Sequence, residues 1–234
     1  MTAGFNEQPL VRQIPPDVVD LWFTTLPEGD SSLESILSAG EMRRAHLFRF
    51  ERDAVRFVAR RGILRLILAT YIGVSPSQLS FTHNHFGKPA LAGLSSNIHF
   101  SSSHSGDLAV YAVARERDLG VDLEHLQQGP LEIASIAGSF FPDTQIAELE
   151  HTPVDRQEEV FLRFWTQLEA QGKALGTGLG KVNAASSSLN SFQGKSFSFK
   201  RRAPIPGYVV AVAVQGQRRC SLRQQDFMFP MHGD

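Results

Sequence analysis

Cysteine is nearly absent from this sequence, since its 234 residues contain one, Cys220. A single cysteine excludes an internal disulfide and a multi-cysteine zinc site, and it fits a reducing compartment. The chain also lacks an uninterrupted apolar run of about 18 residues, so no membrane-spanning helix is expected. Its N-terminus does not show the charged-then-apolar pattern of a signal peptide. These absences predict a soluble, cytoplasmic protein.

A positive charge excess is missing as well. The formal net charge is −1 at pH 7, which argues against a general nucleic-acid-binding protein, because such proteins usually carry a basic excess. Hydrophobic residues make up 42% of the chain, which is enough for a real core and argues against disorder. We therefore expect a folded protein that binds neither nucleic acid nor membrane, and we expect it to be a monomer.

The stretch 161–180 organises the second half of the chain. Apolar residues recur there at helical spacing, and Trp165, Glu169 and Lys173 follow one another four residues apart, so they lie along one side of the predicted helix. The glycines from Gly176 onward should end it. A carboxylate and an ammonium on one stripe are also explained by a surface ion pair, which is common and weak.

A second acidic element lies in the run Gly-Val-Asp-Leu-Glu at 120–124. Asp122 and Glu124 are two residues apart on a predicted strand, so both side chains point to the same face. If the fold brings Glu169 near them, the three carboxylates form an all-oxygen site of the kind that suits Mg²⁺. The alternative is an exposed strand edge with two ordinary surface acids.

Positive charge is concentrated in one segment of the first half. Between positions 43 and 65, two acidic residues stand against eight arginines: Arg43, Arg44, Arg49, Arg52, Arg56, Arg60, Arg61 and Arg65. Several of them share one side of a predicted helix, where arginine forks match the geometry of phosphate. The segment is therefore either a site for a multiply charged anion or a solvated face with acidic neighbours. Lys88, in a Gly-Lys-Pro turn, is a candidate to join the anion site.

The pair Ser103-His104 raises the possibility of a hydrolase, with a nucleophile and its base. Adjacent residues of an extended chain point to opposite faces, so the two side chains are not placed to pair with each other. The chain also lacks a Gly-x-Ser-x-Gly elbow, and its histidines are too scattered for a zinc pattern. We interpret His104 as a residue in a turn that donates a hydrogen bond to a phosphate. The alternative is a histidine with only a structural role in the turn.

The remaining pattern predicts a mixed α/β chain. Helices are expected over 31–37, 47–71 and 131–149, the last interrupted at Phe141-Pro142. Strands are expected over 18–23, 108–114, 120–124, 192–200 and 208–214, with a strand–turn–strand unit over 81–91, a short extended run at 98–100 and a loop at 184–188. Residues after Cys220 are polar and are expected to lie over the surface.

These motifs, in this order, resemble a known family. Phe-Gly-Lys-Pro-Ala-Leu at 86–91 is followed by Phe-Ser-Ser-Ser-His-Ser at 100–105, then by Gly-Val-Asp-Leu-Glu at 120–124. The helix motif Phe-Trp-Thr-Gln-Leu-Glu-Ala-Gln-Gly-Lys at 164–173 comes last. The sequence resembles the 4′-phosphopantetheinyl transferase superfamily, in its larger, surfactin-synthetase-activating type, over roughly residues 40 to 215.

The resemblance implies a fold and a reaction. The fold is α/β (α+β), with two pseudo-symmetric α/β subdomains and the active site at their interface. It divides the chain into 1–116, which binds coenzyme A, and 117–234, which carries the metal ligands and the catalytic helix. In the reaction, a serine of an apo acyl or peptidyl carrier protein attacks the β-phosphate of coenzyme A in the presence of Mg²⁺, and adenosine 3′,5′-bisphosphate is released.

The resemblance also implies a role for each matching residue. The metal ligands are Asp122, Glu124 and Glu169. The catalytic residues are Glu169, as base or as the residue that orients a basic water, and Lys173, as the neutralising cation. The coenzyme-binding residues are Arg44, Arg56, Lys88, Ser103 and His104.

Three positions depart from the family pattern. Leu168 occupies the place of the first lysine of the helix motif, Ser101 stands where many members have Asn, and Gln145 stands where Glu is frequent. Leu168 either packs against the core or lines the cleft where a carrier protein docks. It is also the feature that favours a competing function, a non-catalytic module that binds coenzyme A or a carrier protein. A metal-dependent phosphohydrolase is a third class, and it would release free phosphopantetheine without any carrier.

Overall fold

The computed structural model describes residues 11–93, 97–126, 133–179, 191–192, 195–202, 205–216 and 220–227. The α-helices in these ranges are α1 (Ser31–Glu34), α2 (Ala39–Ala45), α3 (Glu51–Ile72), α4 (Ile133–Phe140), α5 (Asp143–Glu150) and α6 (Val154–Leu175), and a short 3-10 helix spans Pro76–Gln78. The strands are β1 (Val18–Thr25), β2 (Phe81–His83), β3 (Pro89–Leu91), β4 (Ile98–Ser105), β5 (Leu108–Arg115), β6 (Leu119–His125), β7 (Ser191–Phe192), β8 (Lys195–Arg202), β9 (Tyr208–Gln215) and β10 (Ser221–Asp226). The predicted α/β class is confirmed.

Two four-stranded sheets organise the molecule. The first has the order β10-β1-β5-β4 and the second the order β6-β9-β8-β7, while β2 and β3 form a separate hairpin. Most neighbouring strands are antiparallel, and the β1–β10 pair is parallel. As a result β4 and β6 are edge strands of different sheets, and they lie beside each other.

The core is arranged in layers. One face of each sheet contributes to a shared aliphatic core, built from alternate residues of β1, β5, β6 and β9, as the period of two along a strand requires. The opposite face of the first sheet packs against α3. The opposite face of the second sheet packs against α6. The order is therefore helix, sheet, sheet, helix, and the two edge strands meet between the two long helices.

Both long helices end at a glycine in the left-handed conformation. Gly73 follows α3 with φ 76°, and Gly176 follows α6 with φ 71°. Only glycine adopts that region without strain, which is why it so often ends a helix. The predicted ends of both helices are confirmed.

Several expectations need correction. The extended run at 98–100 continues as strand β4 to Ser105, so His104 lies in a strand and not in a turn. Residues 221–226 form β10, paired with β1, where a surface segment was expected. Helix α2 was not predicted. The loop expected at 184–188 lies outside the described residues, and the division at 116/117 stays a prediction.

No helix among the described residues is long and apolar enough to cross a membrane.

Candidate active site

The candidate site is built on the two neighbouring edge strands. Ser103 of β4 donates its hydroxyl to Oδ1 of Asp122 on β6 at 2.9 Å, and Ser105 donates to Oε2 of Glu124 at 3.1 Å. Ser101 accepts a hydrogen bond from the β6 main chain at 3.1 Å. Alternate residues of a strand share a face, so these three serines bind β6 as a row. Side-chain hydroxyls thus join the edges of the two sheets.

Helix α6 contributes the cation of the site. Nζ of Lys173 lies 2.7 Å from Oδ1 of Asp122 and donates to the Ser103 hydroxyl at 3.0 Å. The Asp122 carboxylate is buried, and its second oxygen, Oδ2, has no hydrogen-bond partner. A buried carboxylate oxygen without a partner is energetically unfavourable and indicates a position suited to a further ligand.

The negative charge of Asp122 acts on both Glu124 and Glu169. Burial, followed by repulsion from Asp122, raises the pKa of Glu124. Burial, with repulsion from Asp122 and from Glu124, also raises the pKa of Glu169, although Lys173 opposes the shift. The three predicted ligands are therefore close enough to sense one another. Among the described residues, however, no three acidic, histidine or cysteine side chains already stand in the arrangement of a metal centre.

A close approach of main chains makes this geometry possible. A Cβ added to Gly120, at the start of β6, would lie 2.0 Å from the carbonyl oxygen of Ala170 and 2.5 Å from the amide nitrogen of Ala174. Only a glycine lets α6 lie this close to the strand, and that contact brings Lys173 to Asp122. Sequence analysis placed Gly120 in the motif at 120–124 but did not predict this packing role, although a glycine inside a strand often marks a close backbone approach.

His104 points the other way, towards α3. Nη1 of Arg60 lies 2.9 Å from Nδ1 and 2.7 Å from Nε2 of the ring. Burial, together with the positive charges of Arg60, Lys173 and Arg56, lowers the pKa of His104 to about 4. The imidazole is therefore neutral at physiological pH. As predicted, Ser103 and His104 have different partners.

The predicted coenzyme-binding residues are spread over a wider area. Arg56 forms an ion pair with Asp107 beside His104. Arg44 lies in a cavity of about 720 Å³ that Arg61 also lines. Nζ of Lys88 donates to main-chain carbonyls, at 2.9 Å to Ala174 and 3.3 Å to Leu119.

Arg60 was one of the arginines of the predicted anion site, although it was not among the residues assigned to coenzyme binding. Its spacing of four from Arg56 on a helix was the available signal.

Leu168 is part of the core. It is 3% exposed and belongs to a cluster that contains Phe141, Phe161 and Phe164. The alternative that it lines a docking cleft is wrong, because a side chain buried in this way presents no surface to a partner. Its departure from the family motif is a change in packing, so it does not favour the non-catalytic module.

Comparison with known proteins gives the family. The model described as "4′-phosphopantetheinyl transferase superfamily" matches residues 118–218, and the one described as "4′-phosphopantetheinyl transferase, N-terminal" matches residues 22–116. The 4′-phosphopantetheinyl transferase HetI of Nostoc sp. (strain PCC 7120) is 36% identical over 211 residues, which cover 86% of this chain and 89% of HetI. A 4′-phosphopantetheinyl transferase of Bacillus subtilis is 28% identical over 197 residues, covering 84% of this chain and 80% of the relative.

Among solved structures, the holo-[acyl-carrier-protein] synthase of Thermotoga maritima matches with a TM-score of 0.33 and 18% identity, covering 43% of this chain and 64% of that one. The family matches and HetI decide the assignment. The chain belongs to the 4′-phosphopantetheinyl transferase superfamily. It is a 4′-phosphopantetheinyl transferase of the larger type, which confirms the resemblance seen in the sequence.

Proposed function

We propose that this enzyme transfers the 4′-phosphopantetheine group from coenzyme A to a serine of an apo acyl or peptidyl carrier protein in the cytoplasm. The observation that carries the proposal is the hydrogen-bonded cluster of Asp122, Lys173 and Ser103. Glu124 and Glu169 lie close enough for the charges of Asp122 and Lys173 to shift their pKa values. Acids, a cation and a hydroxyl donor are the groups that phosphoryl transfer needs for positioning and charge stabilisation.

Mg²⁺ fits the acidic part of this cluster. Asp122 has a buried oxygen without a partner, and Glu124 and Glu169 carry mutual repulsion that a cation would relieve. We propose that these three residues hold the ion through hard oxygen ligands. When bound, it would offset the negative charge of the coenzyme's pyrophosphate.

The reaction forms one bond and breaks one. The carrier serine oxygen attacks the β-phosphorus, and the bond from that phosphorus to the bridging oxygen breaks. Adenosine 3′,5′-bisphosphate leaves with the bonding electrons. The serine proton passes to Glu169 or to a water that Glu169 orients. Lys173 offsets charge that grows on the phosphate oxygens.

Residues of the first half position the coenzyme in this proposal. They are the predicted Arg44, Arg56, Lys88, Ser103 and His104. Ser103 provides a hydrogen-bonding group next to Lys173. On the opposite face of β4, a neutral His104 contacts Arg60, and Arg56 adds positive charge there. The cavity that contains Arg44 and Arg61 provides a second cationic position for a coenzyme phosphate.

Mass spectrometry tests the proposal directly. Apo fatty-acid, peptide and polyketide carrier proteins are incubated with the enzyme, coenzyme A and Mg²⁺. We expect a mass gain of one phosphopantetheine on a carrier serine, and its loss when a chelator is added. If no carrier in the panel is modified, the proposed transfer is wrong, and release of free phosphopantetheine without a carrier would instead identify a phosphohydrolase.

A further inference from the structure

The β2–β3 hairpin lies between the coenzyme-side cavity and the end of the catalytic helix. On one side, His83 and Gly87 line the cavity that contains Arg44. On the other side, Asn84 and Lys88 contact α6. The hairpin is thus in contact with both parts of the proposed site.

The tip of the hairpin is closed by its own hydrogen bonds. Oδ1 of Asn84 accepts the main-chain N–H groups of Phe86 at 3.0 Å and Lys88 at 2.9 Å. The main chain closes the same turn, since Gly87 N–H donates to the Asn84 carbonyl at 3.0 Å. With its side-chain oxygen used in this way, Asn84 directs its amide nitrogen away from the turn.

That amide nitrogen and the Lys88 ammonium both bind the end of α6. Nδ2 of Asn84 donates to the Gly176 carbonyl at 2.8 Å, and Nζ of Lys88 donates to the Ala174 carbonyl at 2.9 Å. The last carbonyls of a helix have no partner within the helix, and a cation there is favoured by the helix dipole. The contact is tight, because a Cβ on Gly176 would lie 2.7 Å from Nδ2 of Asn84.

The same ammonium links the helix to the strand that carries the acids. Lys88 also donates to the carbonyl of Leu119 at 3.3 Å, at the start of β6. Ala174 directly follows Lys173, and Leu119 lies on the same strand as Asp122. The hairpin therefore fixes, through main-chain atoms, the two elements whose side chains form the 2.7 Å pair.

We propose that Asn84 is a positioning residue, which holds the last turn of α6 so that Lys173 and Glu169 stay aligned with Asp122. This inference rests on the proposed function, because it assigns those side chains a part in the transfer. It predicts that loss of the Asn84 contact slows the chemical step more than it weakens coenzyme binding.

Asn84→Asp is the sharpest variant. It keeps the oxygen that closes the hairpin tip but replaces the nitrogen that donates to Gly176. We expect kcat to fall roughly tenfold while KM for coenzyme A changes by less than about twofold, since small misplacements of catalytic groups act mainly on the rate. Asn84→Ala, which also opens the tip, should lower kcat further. His85→Ala, an exposed neighbour on the same hairpin, is the control and should match the wild type.

A second measurement needs no substrate. Hydrogen exchange of the amides at 172–179 should be faster in Asn84→Asp than in the wild type, while exchange in the middle of α3 stays unchanged and reports an intact fold. Unchanged exchange at 172–179 would overturn the proposal even if the enzyme transfers phosphopantetheine as expected. A rise in KM for coenzyme A with normal kcat would also overturn it, because it would make Asn84 a binding residue. Faster exchange in an enzyme that modifies no carrier would instead contradict the proposed function alone.

Discussion

The two long helices have the same length and the same kind of ending, yet they contact their sheets in different ways. Each spans 22 residues and ends at a left-handed glycine. Helix α3 packs through large side chains such as Ile63, Leu64 and Leu68. Helix α6 packs through small ones, with Ala170 and Ala174 against alanines of β9 and against Gly120.

The two helices also differ in the side chains that they bury: α3 buries an arginine, and α6 buries a leucine. Arg65 of α3 is 1% exposed. It donates to Glu41 at 2.6 and 2.9 Å and to the carbonyls of Pro76 and Leu79 at 2.8 Å each. A buried cation is tolerated when its donors are satisfied in this way. Leu168 of α6 is also buried, but it is apolar and packs among aromatic rings.

The different packing of the two helices fits the roles that we propose for the two halves of the chain. In that proposal, the partly exposed Arg56 of α3 helps to position the charged coenzyme. The close main-chain contact of α6 brings Lys173 directly to Asp122, which suits chemistry that depends on fixed distances.

The largest expected effect comes from removing an acid of the proposed metal site, either Asp122 of β6 or Glu169 of α6. Asp122→Ala and Glu169→Gln should each lower kcat roughly a hundred- to a thousandfold, because charge on the phosphates would be left uncompensated. Circular dichroism should show both variants folded. Glu159→Gln, an exposed acid on the same helix, should leave kcat unchanged. Near-normal turnover of both variants at high and at low Mg²⁺ would show that these acids do not form the proposed metal site.

Gly120→Ala tests the close packing of α6. The added methyl would overlap main-chain atoms of the helix, so we expect a loss of about 3 kcal/mol in the free energy of unfolding, the upper end for overpacking. Urea denaturation measures it. Gly138→Ala, where a Cβ meets nothing within 4 Å, is the matched control. Equal stability of the two variants would show that α6 is not packed as described.

Leu168→Lys tests whether α6 accepts the buried cation that α3 holds. We expect a destabilisation of about 2–3 kcal/mol, because an ammonium placed among aromatic side chains loses its hydration. Leu168→Met, which nearly conserves volume, should lose less than about 1.5 kcal/mol. Thermal and urea unfolding provide both values. A fully stable Leu168→Lys protein would contradict the core assignment.

Arg44→Ala tests the outward-reaching cations of the first half. Coenzyme A differs from dephospho-coenzyme A by its 3′-phosphate, and a charge-assisted contact to it is worth about 1.5–3 kcal/mol, or roughly ten- to a hundredfold in affinity. The wild type should prefer coenzyme A by that factor, and Arg44→Ala should lose most of the preference with little change in kcat. Arg43→Ala serves as the control on the same helix. Equal weakening of both donors would mean that Arg44 does not recognise the 3′-phosphate.

The smallest expected effect is the titration of His104. An NMR titration should show a pKa near 4, compared with the ordinary 6.5, and Arg60→Gln should recover part of the difference, since burial is the larger cause. A lowered pKa means that the unfolded chain takes up the proton first, so His104 should reduce stability as the pH falls from about 6.5 to 4. If Arg60→Gln leaves the pKa of His104 unchanged, the charge of Arg60 does not contribute to lowering it.

The sequence by itself determined most of the local elements, and it determined the family. Period two placed Asp122 and Glu124 on one strand face, and period 3.6 placed Glu169 and Lys173 on one helix side. The glycines from Gly176 onward marked the end of α6. The ordered motifs from Gly87 to Lys173 identified the transferase family, because several spaced motifs together are far more specific than any one of them.

Only the tertiary structure decided which of these residues meet. Lys173 and Asp122 are 51 positions apart, and Ser103 and Asp122 are 19 apart. Their contacts depend on two sheet edges lying side by side and on α6 lying directly on Gly120. The tertiary structure also decided between the two alternatives for Leu168, and it showed the pairing of β10 with β1, which was not predicted. Short-range periodicity fixes which way a side chain points along its own element, but the distance between elements is set by long-range packing.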